Sequence, residues 1–309
     1  MKRPTYQLLD ATFSSPDDQF EVGQTYRAKN PVELDRTGFF TWDYPLFMFS
    51  YTGRILARYA LNEVAGSVVH RGEAVVSEVL TIRQELQLDE IIDHSVSWAL
   101  TFGREPRETS PTHPVPGVFL ENVAACDGER TSVSVSGNRT SAVGRGAFSS
   151  AATAGYNSIA ATKGENSACA SAGHISIAIA CGPLATAAAS GKASRAAASG
   201  ARSKAVAAGE GIYAECAGAQ SVAAAIGRSA SAKASAGSLL VLVHYDKAGN
   251  PLKAVSAIAS ADGPVKPDVW YKLDDDGQFV EAWEIGVVVV RRKPAWSLKR
   301  GGPAWRLAT

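Results

Sequence analysis

The residues able to do chemistry are few and scattered along this 309-residue chain. Five histidines, His70, His94, His113, His174 and His244, stand far apart, and none falls in the HExxH frame that sets two imidazoles and a carboxylate on one helix face. Four cysteines, Cys126, Cys169, Cys181 and Cys216, lack metal-ligand spacing and read as packed free thiols, which suits a reducing cytoplasm. No GxxxxGK[ST] loop is present to cradle phosphate, and the aspartates of calcium-binding nonapeptides are missing, with only Asp127 near a turn. Neither a metal nor a cofactor is therefore expected. One pair remains: Arg27, after Tyr26, and Glu78, inside the strand-like run EAVVSEVLTI, with Gly38, Phe39 and Phe40 between them. A strand carboxylate with a nearby arginine reads as an ordinary surface ion pair.

The elements around these residues are dominated by a ladder of twelve glycines at intervals of nine: Gly128, Gly137, Gly146, Gly155, Gly164, Gly173, Gly182, Gly191, Gly200, Gly209, Gly218 and Gly227. An unbroken period of this length marks one short unit stacked on itself. With glycine as position one, position four is almost always Ser, Thr or Ala, position six almost always Ala, and position eight small again. Those three positions share one side of a strand because side chains alternate with period two. They form the inside, and the variable positions five and seven face out. Each nonapeptide is then a glycine turn followed by a short strand. A helix is excluded, because glycine costs it about 1 kcal/mol at each occurrence and a nine-residue period keeps no single stripe at 3.6 residues per turn. The expected fold class is mainly β: a parallel, β-roll-like solenoid of nine-residue half-coils, eighteen residues per coil, six coils from twelve repeats, with an N-terminal α+β domain and a C-terminal β cap.

Composition and punctuation divide the chain into 1–103, an α+β domain; 104–117, a proline-rich linker; 118–237, the solenoid; 238–290, a cap of two hairpins; and 291–309, a basic tail. Aromatics crowd residues 39–51, the runs VAGSVV and AVVSEVLTI read as strands, and Leu88, Ile91, Ile92, Val96, Ala99 and Phe102 recur at helical spacing. Val118, Phe119 and Leu120 are expected to cap one end of the solenoid, and the large alternating residues Leu239 to Val243 the other. The hairpin turns fall at Lys247 to Asn250 and at Asp274 to Gly277. The three main segments, 1–117, 118–237 and 238–309, carry net charges of −5, +4 and +2, a balance that gives no specific nucleic-acid signal. No run of eighteen apolar residues and no signal-peptide pattern after Met1 points to a membrane or to export.

FEVGQTY at 20–26, the GF…PL…F…Y element at 38–51, RYALNEVAG at 58–66, nonapeptides such as GYNSIAATK at 155–163, and VKPDVWYKL at 265–273 together resemble an uncharacterised family of phage and prophage proteins. The resemblance extends to about residue 283 and implies a phage-related origin, in the cytoplasm of the infected bacterial host or in the virion, without assigning an activity. Separately, the arrangement of Arg27, Gly38–Phe39–Phe40 and Glu78 looks distantly like that of ADP-ribosyltransferases. That resemblance implies an enzyme acting on a host target, with Arg27 on the nicotinamide dinucleotide and Glu78 orienting the nucleophile; the Ser-Thr-Ser step is absent after Gly38.

The preferred expectation is a non-catalytic scaffold that forms homo-oligomers, with a phage structural protein or a host protein as further partner. Its basis is the outward columns. Ala152, Ala170, Ala188, Val206 and Ala224 share position seven of alternate repeats, Val143, Ala161, Ile179 and Ala197 share it on the other wall, and Ile159, Ile177 and Tyr213 lie beside them. Such columns suit packing against another copy. Trp296 and Trp305, in two Pro-Ala-Trp tripeptides on the basic tail, complete the candidate interface.

Overall fold

The computed structural model describes residues 4–9, 19–33, 37–50, 58–72, 74–102 and 122–282. In the N-terminal domain, β1 (Thr5–Leu9), β2 (Thr25–Arg27), β3 (Phe39–Trp42), β4 (Arg58–Arg71) and β5 (Ala74–Leu86) form an antiparallel sheet in the order β2-β5-β3-β1-β4. A further pairing of β4 with β5 closes β5, β3, β1 and β4 into a ring. The β4–β5 hairpin is longer than the runs VAGSVV and AVVSEVLTI suggest. Two register shifts, at Leu61/Asn62 and between Ala65 and Val68, interrupt the alternation by which β4 would be recognised. A short 3-10 helix, Pro45–Ser50, buries Leu46, Phe47, Met48 and Phe49 completely. Helix α1 (Leu88–Phe102) follows β5 directly. Glu90 accepts the Gln87 N–H at 2.7 Å, half of a capping box, and Leu88, Ile91, Ile92, Val96 and Ala99 form its buried stripe.

The solenoid strands run in chain order as β6 (Asn122–Asp127), β7 (Ser132–Ser136), β8 (Thr140–Arg145), β9 (Ser150–Ala154), β10 (Ile159–Lys163), β11 (Ala168–Ala172), β12 (Ile177–Cys181), β13 (Thr186–Ser190), β14 (Arg195–Ser199), β15 (Lys204–Ala208), β16 (Tyr213–Cys216), β17 (Val222–Ile226), β18 (Ser231–Ala234) and β19 (Leu239–Tyr245). Even-numbered strands stack in parallel as one wall and odd-numbered strands as the other. The step is eighteen residues, as Ile159↔Ile177↔Arg195 shows. About seven turns cover residues 122–242, one more than the glycines count, because β6 precedes the first glycine and β19 follows the last.

Positions four, six and eight form the dry interior, with Ala142, Ala160, Ala178, Ala196, Ala214 and Ala232 all fully buried along one column. Hydroxyls satisfy the corners: Ser171 Oγ donates to the Ser158 carbonyl at 3.1 Å, and Ser194 Oγ to the Gly191 carbonyl at 2.8 Å. Backbone ladders continue through the turns. Position-three N–H groups donate to the position-two carbonyl one lap on, as Arg130 does to Ala147 at 2.9 Å. That bond accompanies a feature invisible to the nonapeptide rule: position three is left-handed, with φ between 51° and 59° at Arg130, Arg139, Phe148, Asn157, Asn166, Ile175, Leu184, Ala193, Arg202, Gln220 and Ser229. Left-handed backbone costs a non-glycine residue roughly 1–2 kcal/mol, a strain that the lap-to-lap bonds offset.

At the C-terminal end β20 (Pro251–Ile258) pairs antiparallel with β19, and β21 (Trp270–Leu273) pairs with β18 and with β22 (Phe279–Glu281), so one hairpin closes each wall. Leu240, Leu242, Val265 and Tyr271 fill the last lap with larger side chains. At the other end β6 and β7 are edge strands among the described residues. The expected cap of Val118, Phe119 and Leu120 lies outside those residues.

The even wall is not solvated, and here the sequence expectation is corrected. Val143, Ile159, Ala161, Ile177, Ile179 and Ala197 are completely buried in one cluster with Tyr44, Phe47, Ile92, Val96 and Trp98 of the N-terminal domain. Tyr44 Oη and Ser141 Oγ are hydrogen-bonded at 2.8 Å inside this contact. On its rim Lys163 Nζ meets Asp93 at 2.5 Å and Asp89 at 3.0 Å. Ile159, Ile177 and Ile179 thus pack against their own chain. Burying each such side chain contributes roughly 1.5–3 kcal/mol.

Candidate functional site

Arg27 and Glu78 are brought together across the β2–β5 pair, whose register sets Arg27 opposite Val79. Arg27 Nη1 donates to Glu78 Oε1, and the Ser67 N–H donates to Glu78 Oε2 at 3.1 Å. Gly66, with φ of 74°, makes room for this carboxylate, since a Cβ there would lie 2.7 Å from Glu78 Oε2. The side chain of Arg27 is 71% exposed. A carboxylate held by a strand partner and by a bulge amide fastens the hairpin, and neither residue lines either of the two clefts described below. Gly38 has a packing reason of its own: a Cβ would come within 2.8 Å of Val76 Cγ1.

Several other titratable groups are likewise partnered. Tyr6 Oη and His94 Nδ1 are hydrogen-bonded at 3.0 Å. Burial, seconded by the Asp43 charge, pushes the Tyr6 phenol well above its ordinary range, so it stays protonated. Burial also lowers the His94 imidazole below 6.5, against the opposing pull of Glu90 and Asp93. His70 Nδ1 lies 3.6 Å from Asp43. All four cysteines are free thiols. Burial raises Cys169 strongly and pushes Cys181 up to about 12, so neither is a thiolate at neutral pH. Among the described residues no group of three or more His, Cys, Asp or Glu side chains is placed to hold a metal ion.

Two clefts among the described residues bear on the site. One, about 550 Å³, opens where Tyr59, Leu88 and Asp89 of the N-terminal domain meet Lys163, Cys181 and Pro183 of the solenoid. Partial burial alone would lower the Lys163 ammonium there, but Asp93 and Asp89 more than reverse this and hold it raised. The other, about 350 Å³, lies between the cap hairpins beside Arg228, His244, Lys272 and Asp274. Asp274 Oδ1 accepts the Asp276 and Gln278 N–H groups at 3.0 and 2.8 Å. Its carboxylate is therefore occupied in shaping its own turn.

Among the described residues the odd wall is left open. Positions five, seven and nine of β7, β9, β11, β13, β15, β17 and β19 face outward, and Lys204 is the only charged residue among them. Their sizes are graded. The first three strands present only Ser and Ala, β13 presents Thr186, Ala188 and Ser190, and the last three include Val206, Val222, Ile226, Leu239 and Val241. Ala152, Ala154, Ala168, Ala170 and Ala172 are exposed. Val206 belongs to this wall. Tyr213 does not: it sits on the even wall, edge-on to Trp270 and beneath the guanidinium of Arg195. Trp296 and Trp305 lie outside the described residues.

Residues 4–94 match a family described as a domain of unknown function (DUF7666), which fits an uncharacterised family for the N-terminal domain. The match covers less than a third of the chain and ends inside α1. No curated protein and no solved structure matches the chain. No helix among the described residues is long and apolar enough to cross a membrane.

Proposed function

We propose that this chain is a phage-related, non-catalytic scaffold that holds to other copies of itself through the odd wall of its solenoid. The observation that carries this reading is the contrast between the two walls. The even wall, built by the same nonapeptide rule, already uses its outward apolar column to bind a protein surface, namely the N-terminal domain. The odd wall offers a comparable column with a single charge and no cover among the described residues. Seven strands about 4.8 Å apart, five residues each, give a face of about 500 Å² per copy, or about 1,000 Å² in a face-to-face pair. That area is at the threshold for a specific interface and suits association at micromolar concentration.

The motif resemblance supports a phage setting for the scaffold, as a virion component or as a factor made during infection. Mass spectrometry of purified particles beside infected-cell lysate separates these two roles. Sedimentation of the purified protein at tens of micromolar tests the self-association: a species heavier than one chain is expected, and a strictly monomeric particle overturns the reading. Nothing in the placement of Arg27 and Glu78 favours the transferase alternative.

A further inference from the structure

Resting on that reading, we infer that the partner on the odd wall is a second copy related by a two-fold axis lying in the interface and running along β13, so that the two stacks oppose each other lap for lap in reverse. The argument is shape. The wall grows from Ser and Ala at β7, β9 and β11 to Val, Ile and Leu at β15, β17 and β19. If the axis instead ran along the solenoid, each lap would meet itself: Leu239 and Val241 would press on their mates while Ser132 and Ser134 faced theirs across a gap. Packed sheets keep a nearly uniform spacing of about 10 Å, and a wedge of that kind leaves dispersion contacts unmade at the thin end. Reversing the stack pairs large with small at both ends, and the spacing evens out.

Charge is compatible with this arrangement. In the reversed stack Lys204 on β15 faces the alanines of β11, so the two ammonium groups are separated by two laps, about 10 Å. Lys204 also stands at position five, near the rim of the wall, where its stem covers alanine while its head reaches water. The N-terminal domains, on the even walls, end up on the two outer faces of the pair and do not collide.

Position-seven residues lie along the middle of the wall and report the arrangement. In a Cys126→Ser background, which removes the least buried native thiol, Ala188→Cys is expected to cross-link to itself with a short bis-maleimide, since sheets about 10 Å apart lie beyond the span of a disulfide. Ala170→Cys mixed with Val206→Cys is expected to give a mixed cross-linked pair, and Ala170→Cys alone to give little. Strong self-cross-linking of Ala170→Cys, with no mixed pair, overturns the reversed two-fold while leaving the wall as the interface. Absence of any association by sedimentation in the same samples overturns the wall itself. Ala170→Glu, an exposed substitution that leaves the fold intact by circular dichroism, is expected to raise the dimer Kd by more than about tenfold by burying a charge. An unchanged Kd counts against the odd wall.

Discussion

Gly209 and Gly211 stand two residues apart in one turn, and replacing each by alanine separates two reasons for glycine. At Gly209 φ is 136° and a Cβ would sit 2.3 Å from the Gly191 carbonyl oxygen and 2.7 Å from its carbon, one lap below. Ordinary contact begins near 3.4 Å, so the laps must part by about 1 Å. The bonds that hold them, Gly191 N–H to Ala208 O at 2.9 Å and Ala193 N–H to Glu210 O at 2.8 Å, resist that movement. Losing both costs about 0.5–1.5 kcal/mol each, and left-handed strain adds about 1–2 kcal/mol. The expected cost of Gly209→Ala is therefore about 2–5 kcal/mol. At Gly211 φ is 64° and nothing lies within 4 Å of an added Cβ. Equivalent positions hold Arg, Asn and Ser. Strain of about 1 kcal/mol is there offset by about 0.4–1 kcal/mol of lost freedom in the unfolded chain, so Gly211→Ala should be nearly neutral. Urea unfolding followed by far-ultraviolet circular dichroism compares the two. Equal costs would refute the idea that carbonyl approach, and not turn conformation alone, fixes the ladder.

Further outcomes follow from the same contacts. Ile177→Asp, which puts a carboxylate into the dry contact between wall and N-terminal domain, should cost at least about 3 kcal/mol and make the N-terminal domain more susceptible to protease; unchanged proteolysis would contradict the docking. Lys163→Ala removes ion pairs to Asp89 and Asp93 at a partly exposed rim, so it should cost no more than about 1 kcal/mol, with the cost shrinking in high salt. Because the His94 imidazole is lowered in the folded state, the unfolded chain binds the extra proton: stability is full above pH 6.5 and falls as pH drops through the folded value. Denaturation midpoints across this range should show that slope in the parent protein and lose it in His94→Gln. A thiol reagent at mildly alkaline pH should label Cys126 readily in the folded protein and leave Cys169, Cys181 and Cys216 protected until denaturant is added.

The lap length and the identity of the inner columns are legible in the sequence because glycine marks the turn and period two marks the strand. The flanking laps at Val123–Cys126 and Leu239–Val243 keep the alternation without the glycine, which is why six coils become seven. Docking of the N-terminal domain is harder to read. Outward Ile159, Ile177 and Ile179 fit a second copy as well as the same chain, and the surface that covers them is assembled from β3, the 3-10 helix and α1, far away in sequence. The restriction of these isoleucines to even repeats, against alanine in odd ones, is the signal that could have told the walls apart. Position three is illegible for a different reason. Its left-handed backbone is carried by Arg, Phe, Ile and Leu, residues with no preference for it, under constraint from the lap above and the lap below. In the sequence Arg27 and Glu78 are linked only by the resemblance to ADP-ribosyltransferases, and the Ser67 amide that occupies the carboxylate at the Gly66 bulge is visible only in the fold.

Two half-coils of opposite fate, alternating along the chain, also restrict how such a gene can grow or shrink. Deleting one nonapeptide would transfer every later strand to the other wall: isoleucines cut to fit the N-terminal domain would be stranded in water, and alanines would be offered to it instead. Duplications and losses that keep the protein working must come in steps of eighteen codons, and they are best tolerated beyond β14, where the docked domain no longer reads the pattern.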